Sequence, residues 1–275
     1  MKDKLRVLFS LERRRMDAAL AIFDNAAVER RYSVEPVGDI GRQRSLTELQ
    51  EQYRDHAIAL GRDVAARALA AAGKRAEEID LLITVSCTGI MIPSVDAHLV
   101  NELGFRSDVK RLPITELGCA GGAAALARAS DFLVGFPDGN VLVVAIELPS
   151  LSLQRTDVSL ANLVSTAIFG DGAAAAVVEP TDDPQRGILA TALHAEGKFA
   201  EKLWLECAAA RSRPRLTEDM VASESPRVFP RMEGRYVFKH AVERCTEVIQ
   251  EALDAAGYTS DDIALLVPHQ ANLRI

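Results

Sequence analysis

Apolar positions recur at helical spacing from residue 47 to 72 and then give way to the unbroken apolar run Leu81 to Val85. That is the pattern of an amphipathic helix feeding a buried strand. Two further runs, Val141 to Ile146 and Ala173 to Val178, are apolar throughout, which predicts strands covered on both faces. The Ala-rich stretch after Cys119 (AGGAAALARASDFL) predicts a helix between them. Helices alternating with buried strands specify an α/β layered architecture, with helices outside the sheets and between them. Cys207 to Arg235 departs from this pattern, being rich in Arg, Pro and Ser with weak periodicity, and is predicted to be a long surface excursion or lid.

One unit of this pattern occurs twice. Val64 to Ile83 (VAARALAAAGKRAEEIDLLI) returns 184 positions later as Val248 to Val267 (VIQEALDAAGYTSDDIALLV), with nine identities. Each copy reads as a helix, a Gly at its C-cap, a short acidic turn and an apolar strand. Duplication of such a unit predicts two similarly folded halves about a pseudo-twofold axis, 1–185 and 186–275, with chemistry where the matching strands end. Residues 92–179 have no counterpart in the second half, so that half is incomplete. Either the halves are unequal, or the chain is a piece of a longer protein.

The 275 residues are 48% hydrophobic, enough for a substantial core. A net charge of −7 argues against a nucleic-acid groove. Cys87, Cys119, Cys207 and Cys245 lack paired spacing and read as reduced thiols, and no ligand spacing suggests a metal. The charged N-terminus lacks the apolar core of a signal peptide, and no run approaches a membrane span. A soluble cytoplasmic protein is expected.

Cys119 lies in ELGCAGGA, where small residues permit a sharp turn and a helix begins at once. A thiol at a helix N-terminus is expected to be stabilised as thiolate, hence a nucleophile; the competing reading is a small core Cys. His269 follows Pro268 at the end of an apolar run, where imidazole is costly unless bonded or functional. The internal symmetry brings that strand end towards the Cys119 loop, giving a candidate Cys/His pair. His56, His98, His194 and His240 read as structural or solvated, His194 after a strand-like run. Cys87 could line the same cavity, against a packed thiol as the blander alternative. Phe169 to Ala173 reads as a structural turn.

Longer motifs sharpen this. VSCTGIMIPSVDAHLVNELG, DVKRLPITELGCAGGAAALARASD and NLVSTAIFGDGAAAAVV resemble type III polyketide synthases of the chalcone synthase type. FPRMEGRYVFKHAV and LLVPHQANLRI resemble β-ketoacyl-acyl-carrier-protein synthase III. The chain is thus similar to thiolase-fold condensing enzymes, which implies a duplicated αβαβα layered fold and a decarboxylative Claisen condensation of an acyl thioester with a malonyl thioester. By this resemblance Cys119 is the acyl-accepting nucleophile, and His269, with an Asn, binds the malonyl thioester carbonyl. Gly234, Phe238, Ala271 and Asn272 match the pantetheine tunnel, Lys239 and Arg274 match carrier-protein docking residues, and Cys87 is placed with the substrate. Ile92 matches a residue that reaches into the partner's cavity, which implies a homodimer. The implied substrates are acyl-CoA and malonyl-CoA or malonyl carrier protein, with no metal or organic cofactor. Asn25 and Leu163 replace arginines that hold coenzyme A in synthase III. The resemblance also implies a chain shortened at both ends: a first strand ahead of Met1, the downstream Gly-Asn-x-Ser motif and the last glycine-rich loop are expected outside it. Single condensation, iterative polyketide formation and an incompetent fragment are the alternatives.

Overall fold

Ser45 begins the first long helix with a capping box: its Oγ accepts the Glu48 N–H at 3.2 Å while Glu48 Oε2 accepts the Ser45 N–H at 2.8 Å. The computed structural model describes residues 13–26, 28–42, 44–89, 91–153, 155, 157–200, 202–205 and 230–269. Helices α1 (Arg13–Ala26) and α2 (Leu46–Ala72) precede β1 (Leu81–Val85), α3 (Val95–Leu103), β2 (Lys110–Ile114), α4 (Gly121–Gly135), β3 (Val141–Glu147), α5 (Leu160–Ile168) and β4 (Gly172–Val178). β5 (Leu203–Leu205), β6 (Pro230–Met232) and α6 (Gly234–Ala256) follow.

β1 to β4 form one sheet in the order β2-β1-β3-β4, parallel except for β4. Strand side chains alternate between faces, and both faces are covered. Leu82, Leu142, Val144 and Ile146 pack against Tyr53, Ala57, Ala65 and Leu69 of α2 and Leu99 of α3. Leu81, Ile83, Val85, Val141 and Val143 pack against Ala125 and Ala129 of α4. The result is the helix-sheet-helix layering that unbroken apolar strands predict. α2 comes close because its contact stripe is small: a Cβ on Gly61 would lie 2.8 Å from Ile146 Cδ1. α1 and α5 join through a separate cluster of Met16, Ala19, Phe23, Leu163 and Ala167. The turn before β4 is structural as expected, since buried Asp171 accepts the N–H groups of Val34 and Ser150, each at 2.8 Å.

β4 corrects one expectation. It is half covered rather than buried on both faces: Ala173, Ala175 and Val177 face the α2 side, while Ala174 and Ala176 are exposed. It stands at the edge of the four-stranded sheet, where Val178 still packs into the α4 cluster while Ala174 and Ala176 do not.

The repeat is visible bond for bond. Gly73 and Gly257 end their helices at φ 65° and 74°, and the following N–H groups of Lys74 and Tyr258 reach Leu69 O and Leu253 O at 2.9 and 3.0 Å. Single 3-10 turns follow at Ala76–Glu78 and Ser260–Asp262. The copies then part. Leu81–Val85 is a central strand, whereas the expected strand ending at Val267 is not formed among the described residues. β1 has β2 and β3 beside it to take its N–H and C=O groups; Leu265 to Val267 pair with no described strand. The strand-like run before His194 is likewise not a strand, and His194 instead bonds Glu251 of α6 at 2.8 Å. Most of Cys207 to Arg235 lies outside the described residues. No helix among them is long and apolar enough to cross a membrane.

Candidate active site

The carboxyl edge of the parallel strands gathers the site, as open α/β sheets generally do. β1 runs into Ser86, Cys87 and Thr88, β2 into the turn that carries Cys119, and β3 ends on Glu147. Gly118 adopts φ +55°, a left-handed turn suited to glycine, and Gly118–Ala120 forms a 3-10 turn leading directly into α4. Gly121 then lets α4 settle on β1, because a Cβ there would lie 2.5 Å from Val85 Cγ1. Cys119 is left exposed at the helix entrance.

Glu147 faces it. Its Oε1 accepts the Cys87 N–H at 2.9 Å and its Oε2 the Thr88 N–H at 3.1 Å, while Thr88 Oγ1 accepts the Leu148 N–H at 2.9 Å. The two strand ends are therefore stitched together in both directions. Behind them the Tyr53 hydroxyl donates to Ser86 Oγ at 2.7 Å, and the Tyr53 ring lies so close to Gly89 that a Cβ there would come within 2.3 Å. A small, shallow cleft adjoins this wall, lined by residues that include Tyr53, Ser86, Met91 and Thr115.

The electrostatics correct a second expectation. The Cys119 thiol opens to solvent on one side, but protein crowds it elsewhere, and that burial pushes its pKa up; Glu147 raises it further. Its own backbone N–H acts in the expected lowering direction and is outweighed. Burial likewise pushes Cys87 up to about 12, with the charge of Glu147 and a hydrogen bond to it as the next causes, and Cys119 adds to the effect. Cys87 is thus a neutral thiol at the site wall, exposed rather than packed in the core. Burial also raises the Tyr53 phenol, with Glu147 and Cys87 contributing.

The structure brings Cys87 and Cys119 together around Glu147. Ile92 stands nearby in sequence and is 96% exposed. Gly234, Phe238 and Lys239 occupy the first turns of α6, with Lys239 Nζ 4.0 Å from Glu243. His269 is exposed at the end of the described chain, and the groups acting on Cys119 are Glu147 and its own backbone. Ala271, Asn272 and Arg274 lie outside the described residues. Leu163 is buried between α1 and α5. Sequence reasoning missed Glu147, which ends the apolar run VLVVAIE and gains its partners only through strand pairing.

Residues 36–184 match the N-terminal domain of chalcone and stilbene synthases. The chain belongs to that family. As a member of the chalcone and stilbene synthase family, it is 42% identical over 162 residues to the 1,3,6,8-tetrahydroxynaphthalene synthase of Streptomyces griseus, an alignment spanning 59% of this chain and 44% of that enzyme. Over 226 residues it is 38% identical to a β-ketoacyl-[acyl-carrier-protein] synthase III of Cereibacter sphaeroides, spanning 78% of this chain and 62% of that one. The crystal structure of 1,3,6,8-tetrahydroxynaphthalene synthase from Streptomyces coelicolor A3(2), a bacterial type III polyketide synthase, superposes with a TM-score of 0.81 at 28% identity, covering 99% of this chain and 74% of that one. The chain spans about half the length of the tetrahydroxynaphthalene synthases it matches. The thiolase-like layered α/β fold and the kinship with both enzyme groups stand as the sequence motifs implied.

Proposed function

We propose that this protein is a condensing acyltransferase of the β-ketoacyl-acyl-carrier-protein synthase III type, joining an acyl thioester to a malonyl thioester with loss of carbon dioxide. The observation that carries the reading is Cys119: an exposed thiol on a glycine-built turn, at the edge of three parallel strands and the entrance to α4. The Cys119 sulfur attacks the acyl thioester carbonyl, the carrier sulfur leaves, and the thiol proton ends on the departing thiol. Decarboxylation of the malonyl thioester then leaves an enolate, whose oxygen His269 stabilises through a hydrogen bond. The enolate carbon bonds to the acyl carbonyl, the carbon–sulfur bond to Cys119 breaks, and one proton from solvent restores the thiol.

Alignment with synthase III extends over more of this chain than alignment with the polyketide synthases, which favours a single condensation. The fit to a bacterial type III polyketide synthase supports the iterative alternative. An exposed Lys239 is suited to an acidic carrier protein, and an exposed Ile92 to pairing of two copies. Acyl-CoA supplied with malonyl-CoA or malonyl carrier protein, and products read by mass spectrometry, test these readings. One condensation supports the first; pyrones or cyclised polyketides support the second. Cys119→Ala should abolish acyl transfer, and His269→Ala should still form acyl-Cys while releasing no carbon dioxide. Normal decarboxylation by the His269 variant would remove that residue from the mechanism. The open segment Leu265 to Val267 favours one further reading, that this chain accepts an acyl group at Cys119 without condensing. Acyl-Cys formation with no carbon dioxide release from the unaltered chain would establish it.

A further inference from the structure

The chain just beyond β1 is held from three sides. Ser86, 7% exposed, gives its backbone N–H to Ile114 O of β2 at 3.1 Å, and the next two N–H groups, those of Cys87 and Thr88, turn instead to Glu147 of β3. The third hold comes from α2, outside the sheet. Its Tyr53, 3% exposed, donates its hydroxyl to Ser86 Oγ at 2.7 Å and brings its ring so close to Gly89 that a Cβ there would lie 2.3 Å from Cγ and from Cδ1. Both ends of the segment, Ser86 and Gly89, therefore meet one side chain, and the two N–H donors between them meet one carboxylate. The paired hydroxyls are costly to separate, since each would be left buried without a partner. The ring contact requires glycine at position 89, whose bare backbone admits it. Further along α2, Ala57, Ala65 and Leu69 bury purely apolar side chains; the polar tip of Tyr53 stands where the site begins.

We infer that Tyr53 is a positioning residue of the acyl site: its hydroxyl and ring fix the Ser86–Gly89 segment from behind, so that Cys87 and Thr88 keep their N–H groups on Glu147 and the segment stays a rigid wall. The inference takes its purpose from the condensing reading. Its first measurement needs no acyl transfer, so either can fail alone.

That measurement is amide exchange of the full chain, read by mass spectrometry on fragments fine enough to separate Cys87 and Thr88 from Leu81 to Val85. Tyr53→Phe and Ser86→Ala should each speed exchange at Cys87 and Thr88 about fivefold, the worth of one ordinary hydrogen bond, and leave Leu81 to Val85 unchanged. Combined, they should do no more than either alone, because both remove the same bond. Gly89→Ala should also speed exchange there by forcing the ring aside, and Tyr53→Ala added to it should undo part of the loss by clearing the space. The first two variants are conservative and decide the matter even where an alanine at 53 or 89 prevents folding. With acetyl-CoA, Tyr53→Phe should lower the maximal rate of acyl-Cys119 formation about fivefold and leave the half-saturating concentration unchanged, since the wall orients the acyl group without gripping the coenzyme. Should the unaltered chain form no acyl-Cys119, the condensing reading fails and exchange alone decides. Unchanged exchange at Cys87 and Thr88 in Tyr53→Phe overturns the inference. So does a rise spread equally over β1, which would make Tyr53 a core residue only, or an acylation defect confined to the half-saturating concentration.

Discussion

Gly121 carries the placement of Cys119 by what it lacks. A side chain at this position would drive into Val85 of β1, a buried strand residue held between β2 and β3. Interiors resist such overpacking at a cost of about 1–3 kcal/mol. Gly121→Val should therefore lower the melting temperature and tilt the start of α4, carrying Cys119 away from Glu147. Thermal unfolding monitored by circular dichroism gives the first effect. The second should appear as altered Cys119 alkylation in the folded protein. An unchanged melting temperature and alkylation rate would mean that α4 is not seated through this contact. The glycines around Cys119 were legible in sequence as a turn into a helix. Glu147 was not: a carboxylate at a strand end is ordinarily solvated, and only the pairing of β1 with β3 reveals that the Cys87 and Thr88 N–H groups arrive beside it.

At the level of elements, the two copies of the helix-turn unit show how far local chemistry reaches. Gly caps, the bonds over them and the acidic 3-10 turns coincide in both copies because every interaction spans only a few residues. What lies beyond depends on neighbours. Leu81 to Val85 became a strand because β2 and β3 flank it, whereas no described strand flanks Leu265 to Val267. An apolar run therefore announces what a segment is able to bury, while pairing decides whether it does so. The same reasoning explains β4, whose alanines read as core in the sequence but alternate between covered and open at the sheet edge. The copies should consequently answer differently to one substitution. Gly73→Ala and Gly257→Ala each force a left-handed residue to carry a Cβ, a local cost of about 1 kcal/mol. At Gly73 the cap joins α2 to the central strand, so melting should fall by about 2–4 °C. At Gly257 the cap leads to an open segment, and the cost should surface as faster amide exchange in α6 with melting unchanged. Equal melting shifts would show that both copies belong to one cooperative unit.

For the whole molecule the question is where apolar surface remains uncovered. Leu81, Leu82 and Ile83 are 6%, 0% and 0% exposed, while their repeat partners Leu265, Leu266 and Val267 are 78%, 58% and 78% exposed. Leu126 and Val134 of α4, and Phe136 just after it, are exposed as well. Exposed apolar side chains favour association, and a segment that pairs with no described strand adds a template for strand pairing. The net charge of −7 opposes contact between copies at long range, but salt screens it over about 8 Å at physiological ionic strength. Self-association of the 275-residue chain should therefore rise with salt. Leu265 and Val267 lie two apart and share one face of an extended chain, so the double substitution Leu265→Lys and Val267→Lys converts that face to charge. It should lower the association seen by light scattering and leave the melting of the β1–β4 layers unchanged, since neither residue belongs to those clusters. If association persists undiminished in the double variant, the segment is not the adhesive surface and the open face of α4 is the one to alter. If melting falls with it, the segment is packed against the core in solution, and its exposure is not how the molecule presents itself.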